Sequence, residues 1–105
     1  MSELLRKCYG FQWDLGNSIK NWDNHKVTRI ESEQVFFNKP ILIADDKKHS
    51  TQEPRWYALG RTDLDRKLFI VFTIRKNLIR IVSARDMNKK EKERYNEEIK
   101  KHTQI

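Results

Sequence analysis

The stretch from Lys67 to Arg85, KLFIVFTIRKNLIRIVSAR, limits the possible folds more than any other part of the chain. Its first half, Leu68 to Ile74, is almost continuously apolar and rich in β-branched and aromatic residues, as is typical of a strand covered on both faces. After the polar pair Lys76-Asn77, the run from Leu78 to Ser83 is again strand-like. The sequence therefore predicts a β-hairpin that turns at Lys76-Asn77.

The pleat of these two strands sorts the hairpin into two unlike faces. Arg80 stands in mid-strand on one face, and an unpaired arginine is costly to bury, so we expect that face to be open to water or to an anionic partner. Arg85 falls on the opposite face and must turn outward. The predicted core face carries Leu68, Ile70, Phe72, Ile74, Ile79 and Ile81, and the predicted cross-strand pairs are Arg75 with Leu78, Thr73 with Arg80, Val71 with Val82 and Phe69 with Ala84.

Three further segments have the pattern of short strands, namely Cys8 to Trp13, Ile41 to Ala44 and Arg55 to Arg61. The connection from the last of these to the hairpin leaves its register open. A three-residue loop puts both terminal arginines on the face of Arg80, whereas a two- or four-residue loop puts them on the core face. We expect the former, because arginines in an apolar layer would be costly.

Helix starts are marked by capping residues. Asp14 is an N-cap candidate for a helix over Leu15 to His25, which we expect Ile19 and Trp22 to hold by packing inward. Two pairs have the spacing of a capping box, Thr28 with Glu31 and Asn88 with Glu91. The first begins a helix that ends near Phe37, and the second a charged helix over Lys89 to His102 with a narrow apolar line at Tyr95 and Ile99.

These elements predict a single α+β domain over residues 1–105. The expected architecture is an antiparallel sheet of about four strands with two N-terminal helices and a C-terminal helix.

The formal net charge is +7, and residues 53–105 hold 14 Lys or Arg against 8 Asp or Glu. Such a basic surface attracts nucleic acid, acidic protein or anionic membrane. Cys8 is the sole cysteine, which excludes an internal disulfide and a multi-cysteine zinc site. Neither a signal-peptide pattern nor an apolar run of the roughly 20 residues of a membrane span is present. We therefore expect a soluble protein of the cytoplasm that has no membrane partner.

Arginine and aromatic residues alternate along the predicted sheet. Bidentate arginine on phosphate and aromatic stacking on bases are how proteins hold single-stranded RNA. Alternatively, the same arginines form ion pairs on a solvated surface, and Trp56 belongs to the core. The residues that we expect to bind RNA are Arg55, Trp56, Lys47 and Lys48, beside the arginines Arg61, Arg80 and Arg85.

A series of short motifs gives the chain a resemblance to a known family. The motifs are FQWD (Phe11 to Asp14), Asn21, Asn24-His25, Val35-Phe36, His49-Ser50, Glu53 with Arg55, LGRT (Leu59 to Thr62), IVFT (Ile70 to Thr73), IRIVSAR (Ile79 to Arg85) and ERY (Glu93 to Tyr95). Their order and spacing over residues 9–97 are similar to those of the BrnT family, the toxins of bacterial type II toxin–antitoxin pairs.

The resemblance implies a RelE-like α+β fold and an endoribonuclease that cleaves mRNA, either free or on the ribosome, and arrests translation. It also implies a BrnA-like antitoxin partner. The toxin would contact operator DNA only through this antitoxin. The chain departs from the family pattern WDPxK…NxxKHG at four places, all in or beside the first helix. Leu15 stands for the proline, Asn17 and Asn24 for two lysines, and Lys26 for the glycine.

Metal-free RNA cleavage requires that the 2′-OH lose its proton, that the phosphorane charge be stabilised and that the leaving 5′-oxygen gain a proton. We expect Arg80 and Arg85 to clamp one phosphate. For proton transfer the sequence offers His49, because an imidazole titrates close to neutrality, and also Tyr95, Lys47 and Lys48. The alternative for His49 is a loop histidine bonded to Asp45 or Asp46. The expected catalytic residues are His49, Arg61, Arg80, Arg85 and Tyr95, with no metal and no cofactor.

Two other classes of protein stay open at this point. A non-catalytic RNA- or DNA-binding module would use the arginine face only to grip phosphates. A protein-interaction domain would have its basic face covered by an acidic partner.

Overall fold

A computed structural model of the chain describes residues 3–49 and 52–103, without the side chains of Glu3, Asn17, His102 and Thr103. Ser50 of the His49-Ser50 motif therefore lies outside the described residues, as does the side chain of Asn17. In chain order the elements are α1 (Glu3–Arg6), β1 (Gly10–Gln12), α2 (Leu15–His25), α3 (Arg29–Gln34), β2 (Leu42–Asp45), β3 (Trp56–Arg61), β4 (Lys67–Arg75), β5 (Leu78–Asp86) and α4 (Lys89–Thr103). Short 3₁₀ turns follow α3 at Val35–Phe37 and β2 at Lys47–His49.

Within the described ranges the strands form one sheet of five, in the order β1-β5-β4-β3-β2. The α+β class is confirmed, but the sheet is mixed rather than antiparallel, because β1 runs parallel to β5 while the other neighbours are antiparallel. The pairing of β1 with β5 joins residues more than 60 positions apart. Periodicity within a segment carries no information about such a pairing, and α1 also escaped prediction.

The capping and turn signals in the sequence are confirmed at atomic detail. Thr28 Oγ1 accepts a hydrogen bond from the Glu31 N–H at 3.1 Å, and the Glu31 carboxylate accepts one from the Thr28 N–H at 3.0 Å. The second capping box, Asn88 with Glu91, has the same reciprocal bonds at 2.8 and 2.9 Å. Lys76 and Asn77 have φ values of 52° and 63°, as a tight hairpin turn of type I′ requires.

One face of the sheet packs against α1, α3 and the turn that follows α3. The predicted core face is confirmed, since all its residues are buried except Ile74, which is half-buried against the same cluster. Arg61 pairs with Lys67, and Leu59 with Phe69, so the arginine of β3 lies on the face of Arg80, as expected. The core consists of Leu5, Val27, Val35, Phe36, Ala58, Leu68, Ile70, Phe72, Ile79, Ile81 and Ala84.

A β-bulge in β5 changes which face Arg85 occupies. Phe72 pairs with Ile81 but Val71 pairs with Ser83, so Val82 is an extra residue in the ladder. The predicted pairs of Val71 with Val82 and Phe69 with Ala84 are therefore wrong. Because the side-chain period of a strand is two, the extra residue returns Ala84 to the core and puts Arg85 on the face of Arg80.

The side chain of Asn21 in α2 holds β5 just beyond this bulge. β1 pairs with β5 only as far as Arg80, so the edge of β5 beyond that point has no strand beside it in the described sheet. There Asn21 Oδ1 accepts a hydrogen bond from the buried backbone N–H of Ala84 at 3.2 Å. Asn21 itself is buried. A polar side chain of α2 thus takes the place of a neighbouring strand.

The packing that we predicted for α2 is wrong. Ile19 and Trp22 are 51% and 49% exposed, and Trp22 is not part of the core. The helix instead turns Asn21 inward, because the sheet edge it covers presents an N–H donor rather than an apolar surface. Trp13, by contrast, packs against the core, and its indole N–H donates to Glu33 Oε2 at 2.7 Å.

Arg66, in the β3–β4 connection, fastens the end of α2 to the rest of the fold. Its guanidinium donates to the backbone oxygens of His25 and Lys26 at 3.1 and 2.9 Å. It also binds both oxygens of Asp86 at 2.7 and 3.0 Å, and Glu31 at 3.1 Å. These bonds raise the pKa of Arg66 against the effect of its partial burial, and they hold the pKa of Asp86 below its usual value. One side chain thus joins two helices, a loop and the end of β5.

We predict that Lys26→Gly raises the free energy of unfolding by about 1 kcal/mol. Lys26 ends α2 with a φ of 54°, in the left-handed region, where its N–H and that of Val27 donate to Trp22 and Asn21. A side chain is strained in this conformation and glycine is not. The resemblance places a glycine at this position. Urea denaturation of the two proteins measures the difference.

Lys20→Gly is the matched control, because it removes the same side chain from an exposed position inside α2. It should lower the free energy of unfolding by about 1 kcal/mol. If Lys26→Gly also destabilises, the strain at Lys26 is outweighed by its ammonium group, which lies 5.3 Å from the centre of the Trp22 ring.

Candidate functional site

The second face of the sheet is only partly covered. Tyr95 of α4 is buried against one end of it, in a small cluster completed by Leu59 and Met87. The strands beyond α4 leave a half-exposed surface, which we call the open face. The open face consists of Tyr57, Phe69, Val71, Arg80, Ser83 and Arg85.

Arg85 lies at the end of the open face nearest α4. Its guanidinium carbon is 4.1 Å from the centre of the Phe69 ring, and Phe69 stacks on Tyr57 with ring centres 5.4 Å apart. The same guanidinium donates to both oxygens of Glu91 at 2.8 and 3.0 Å. Arg94 donates to the Tyr57 hydroxyl at 3.1 Å. A shallow cleft of about 200 Å³ lies here, lined by Tyr57, Leu59, Phe69, Lys90, Glu91 and Arg94.

Glu91 is ionised at neutral pH. Partial burial raises the pKa of its carboxyl group, but hydrogen bonds from Arg85 and from the Asn88 N–H outweigh that effect and hold the pKa below its usual value. A phosphate that binds Arg85 must therefore compete with an existing carboxylate. The Arg85 side chain is 35% exposed, and its guanidinium also donates to the Asp86 backbone oxygen at 3.0 Å.

Arg80 lies at the other end of the open face and is also paired. It donates to Asp14 Oδ2 at 2.9 Å, and its side chain is only 17% exposed. Beside it, the buried Thr73 hydroxyl donates to the Pro54 carbonyl oxygen at 2.7 Å, so the segment before β3 lies next to this end. A hydrogen bond from Arg75 lowers the pKa of Glu53, and the charges of Arg55 and Arg80 lower it further.

The structure does not bring Arg80 and Arg85 onto one phosphate. Their partners in β4, Thr73 and Phe69, are four positions apart, which separates the two backbones by roughly 13 Å at about 3.3 Å per residue. Each guanidinium also has its own carboxylate, Asp14 for one and Glu91 for the other. The two arginines share a face but lie at opposite ends of it. An elongated polyanion laid along β5 fits this arrangement better than a single phosphate.

Arg61 and Tyr95 lie in structural contacts away from the open face. Arg61 donates to the Lys39 backbone oxygen at 2.7 Å, and the Tyr95 hydroxyl donates to the Pro40 backbone oxygen at 2.6 Å. Together they fasten the segment that leads into β2. Burial raises the pKa of Tyr95 to about 12, which makes it a poor proton donor or acceptor at neutral pH.

His49 lies in the 3₁₀ turn after the edge strand β2. Its Nδ1 is 3.1 Å from both carboxylate oxygens of Asp46, and the side chain is 59% exposed. His49 is thus bonded to Asp46 in a loop, which is the alternative to a catalytic role that the sequence left open. β3 and β4 separate β2 from β5, which places the two strands roughly 14 Å apart at about 4.8 Å per strand.

The four residues expected to bind RNA differ in their exposure. Lys47 and Lys48 are exposed in the same turn as His49, while Arg55 is half-buried at the start of β3. Trp56 stacks on the core residue Phe72 with ring centres 5.9 Å apart, so it belongs to the core rather than to a stacking platform.

Sequence reasoning missed the residues of α4 that border the open face. Lys90, Glu91 and Arg94 are at the helical spacing that puts them beside the buried Tyr95. Because the apolar line of α4 was visible in the sequence, the side chains flanking it were the available signal. The pairing of Asp14 with Arg80 could not be found, since it depends on β1 lying beside β5.

Fold and site together define a class of protein. It is a small α+β domain whose sheet carries arginines at both ends of a half-exposed aromatic and apolar face, as suits binding of single-stranded nucleic acid. Residues 13–91 match the family model described as the ribonuclease toxin BrnT of type II toxin–antitoxin systems. The chain therefore belongs to the BrnT toxin family, a family of ribonuclease toxins that have an antitoxin partner, as its motifs indicated. None of the curated proteins matches it.

No helix within residues 3–49 and 52–103 is long and apolar enough to span a membrane. In the same ranges, no group of three His, Cys, Asp or Glu side chains is placed to hold a metal ion.

We predict that Tyr95→Phe lowers the free energy of unfolding by about 1–3 kcal/mol, because it leaves the Pro40 oxygen without its buried donor. RNA cleavage by the folded variant should stay at the wild-type rate. Thermal unfolding and a single-turnover cleavage assay measure the two effects.

Tyr57→Phe is the control, since its hydroxyl takes part in an exposed contact with Arg94 and its loss should cost little stability. A Tyr95→Phe variant that is as stable as the wild type but cleaves more slowly would show that the Tyr95 hydroxyl takes part in RNA cleavage.

Proposed function

We propose that this chain is an endoribonuclease toxin that binds single-stranded RNA along the open face and cleaves it without a metal ion. The observation that carries the proposal is the bulge at Val82, because it puts Arg80 and Arg85 on one face with the Phe69-Tyr57 stack beside them. Phosphates would bind at the two ends, and a base would lie against Tyr57, whose cross-strand partner Val71 lies between the two arginines.

The chemistry that this face can supply is attack by the ribose 2′-oxygen on the adjacent phosphorus. The 2′-OH loses its proton, the phosphorane collapses to a 2′,3′-cyclic phosphate, and the 5′-oxygen leaves with a proton. Arg85 would stabilise the phosphorane because its charge is permanent and its side chain is 35% exposed. The Glu91 carboxylate, 2.8 Å from Arg85, would accept the proton of the 2′-OH.

His49 is the other proposed proton-transfer group, carried over from the sequence motifs. Its place beyond β2 means that RNA would have to cross the sheet to reach it from Arg80. The cleavage rates of the Glu91→Gln and His49→Ala variants distinguish these two proton-transfer groups. The first substitution keeps the shape of the capping box, and the second changes only an exposed turn.

The wider function follows from the family. We infer that cleavage of mRNA arrests translation in the cytoplasm and that a BrnA-like antitoxin neutralises the toxin, with operator DNA contacted only by the antitoxin. The charge of +7 supports both an RNA substrate and an acidic protein partner. A RelE-like relationship of the fold is part of the same proposal.

We predict that Arg85→Ala and Arg80→Ala each lower single-turnover cleavage of a single-stranded oligoribonucleotide by about 10²-fold or more. Each removes a permanent charge from one end of the open face. The assay contains excess EDTA, so that cleavage by the wild-type protein also tests metal independence. Circular dichroism checks that both variants are folded.

Arg29→Ala is the control, because it removes the same charge from an exposed position on α3 and should cleave within a few-fold of the wild-type rate. RNA binding without cleavage by the wild-type protein would support the non-catalytic binding module instead. An equal loss of activity in all three variants would mean that net charge, and not the open face, determines the rate.

A further inference from the structure

The two arginines of the open face are each neutralised by a carboxylate. Asp14 binds Arg80 at 2.9 Å and Glu91 binds Arg85 at 2.8 Å, so the two ion pairs together carry no net charge. A polyanion is attracted to a surface by net positive charge. Attraction of RNA to this face therefore depends on other cations that lie close to it.

Two such cations, Lys90 and Arg94, border the shallow cleft between α4 and the sheet. Both residues are exposed, and among the described residues neither has a carboxylate within ion-pair distance. Arg94 donates instead to the neutral Tyr57 hydroxyl at 3.1 Å, which holds its guanidinium at the cleft. A phosphate can bind to these two side chains without breaking an ion pair.

Lys90 and Arg94 are four residues apart on α4. This spacing puts them on the same side of the helix, with their Cβ atoms about 5–6 Å apart. Like charges at this spacing repel each other, and an anion bound between them relieves the repulsion. Further along the same helix, Lys100 and Lys101 are compensated by glutamates three residues before them, at 4.0 and 3.3 Å. The uncompensated pair lies at the end of α4 that borders the open face.

The cleft adjoins the Arg85 end of the open face. Phe69 lines the cleft, and its ring centre lies 4.1 Å from the Arg85 guanidinium carbon. The cleft volume of about 200 Å³ is below the roughly 300–1,000 Å³ of pockets that hold a whole small-molecule ligand. It therefore suits one phosphate or one base of a longer strand, and a strand bound at Arg85 meets Lys90 and Arg94 next.

We propose that Lys90 and Arg94 together bind one RNA phosphate, the neighbour of the phosphate at Arg85, and that the strand leaves the sheet across α4. The inference rests on the proposed function, which makes single-stranded RNA the substrate. It makes the first part of α4 a section of the RNA-binding surface and gives that surface its net positive charge.

The test measures the affinity of the full-length chain for a 2′-O-methyl oligoribonucleotide, which stays intact, by fluorescence anisotropy at several salt concentrations. The Lys90→Gln/Arg94→Gln double variant should bind about tenfold more weakly than the wild type at low salt. Because one phosphate contact is lost, the slope of log affinity against log salt concentration should become shallower by about 0.7. Circular dichroism checks that the variant is folded.

The matched control is the Lys100→Gln/Lys101→Gln double variant, which removes the same charge from exposed positions further along α4. It should keep the wild-type slope and bind within about twofold of the wild-type affinity. Equal losses in the two double variants would show that only net charge matters and would overturn the proposal.

Two other outcomes would also overturn it. If the Lys90→Gln/Arg94→Gln variant binds RNA normally but binds polyglutamate more weakly than the wild type, the pair serves an acidic protein partner. If the wild-type chain does not bind the oligonucleotide at all, the proposed function fails together with this inference. Normal RNA binding by both double variants would overturn this inference alone.

Discussion

The hydrogen bond from the Ala84 N–H to the Asn21 side chain is the contact on which the rest of the structure depends. It closes the edge of β5 where β1 has ended, next to the bulge at Val82. Without the bulge, Arg85 would point into the apolar core, and the open face would have an arginine at only one end. The bond has a cost, since Asn21 Nδ2 is buried without a partner among the described contacts.

The same bond explains why α2 is oriented as it is. A helix that must present an amide to a sheet edge turns a polar side inward, and its apolar residues are left on the outside. Arg66 then fixes the end of that helix by way of two backbone oxygens and the ion pairs to Asp86 and Glu31. The open face and the exposed apolar residues of α2 are thus two results of one packing arrangement.

Local signals in the sequence predicted local structure well. Both capping boxes, the Lys76-Asn77 turn and the apolar face of the hairpin depend on residues close together in the chain, and the structure has all of them. The bulge and the parallel pairing of β1 could not be predicted in this way, because each is decided by contacts between distant segments. The inward Asn21 reverses the usual pattern of an amphipathic helix, so hydrophobic periodicity pointed to the wrong side.

The candidate site was predicted in kind but not in arrangement. Arginines on a sheet face were expected, and Arg80 and Arg85 do share one. Arg61 and Tyr95 lie in contacts that hold the segment before β2, because side chains at the end of a strand can reach a neighbouring loop as easily as a ligand. Glu91 and Arg94 were overlooked, although the apolar line at Tyr95 and Ile99 marks the side of α4 that faces the sheet.

The place where RNA binds can be measured directly by following backbone amide resonances. A short 2′-O-methyl oligoribonucleotide lacks the attacking hydroxyl and stays intact during the titration. We expect the largest shifts at Tyr57, Thr73 and residues 80–85, on the open face and its Thr73 end. Largest shifts in the Lys47–His49 turn or along α2, with residues 80–85 unmoved, would contradict an RNA site on this face.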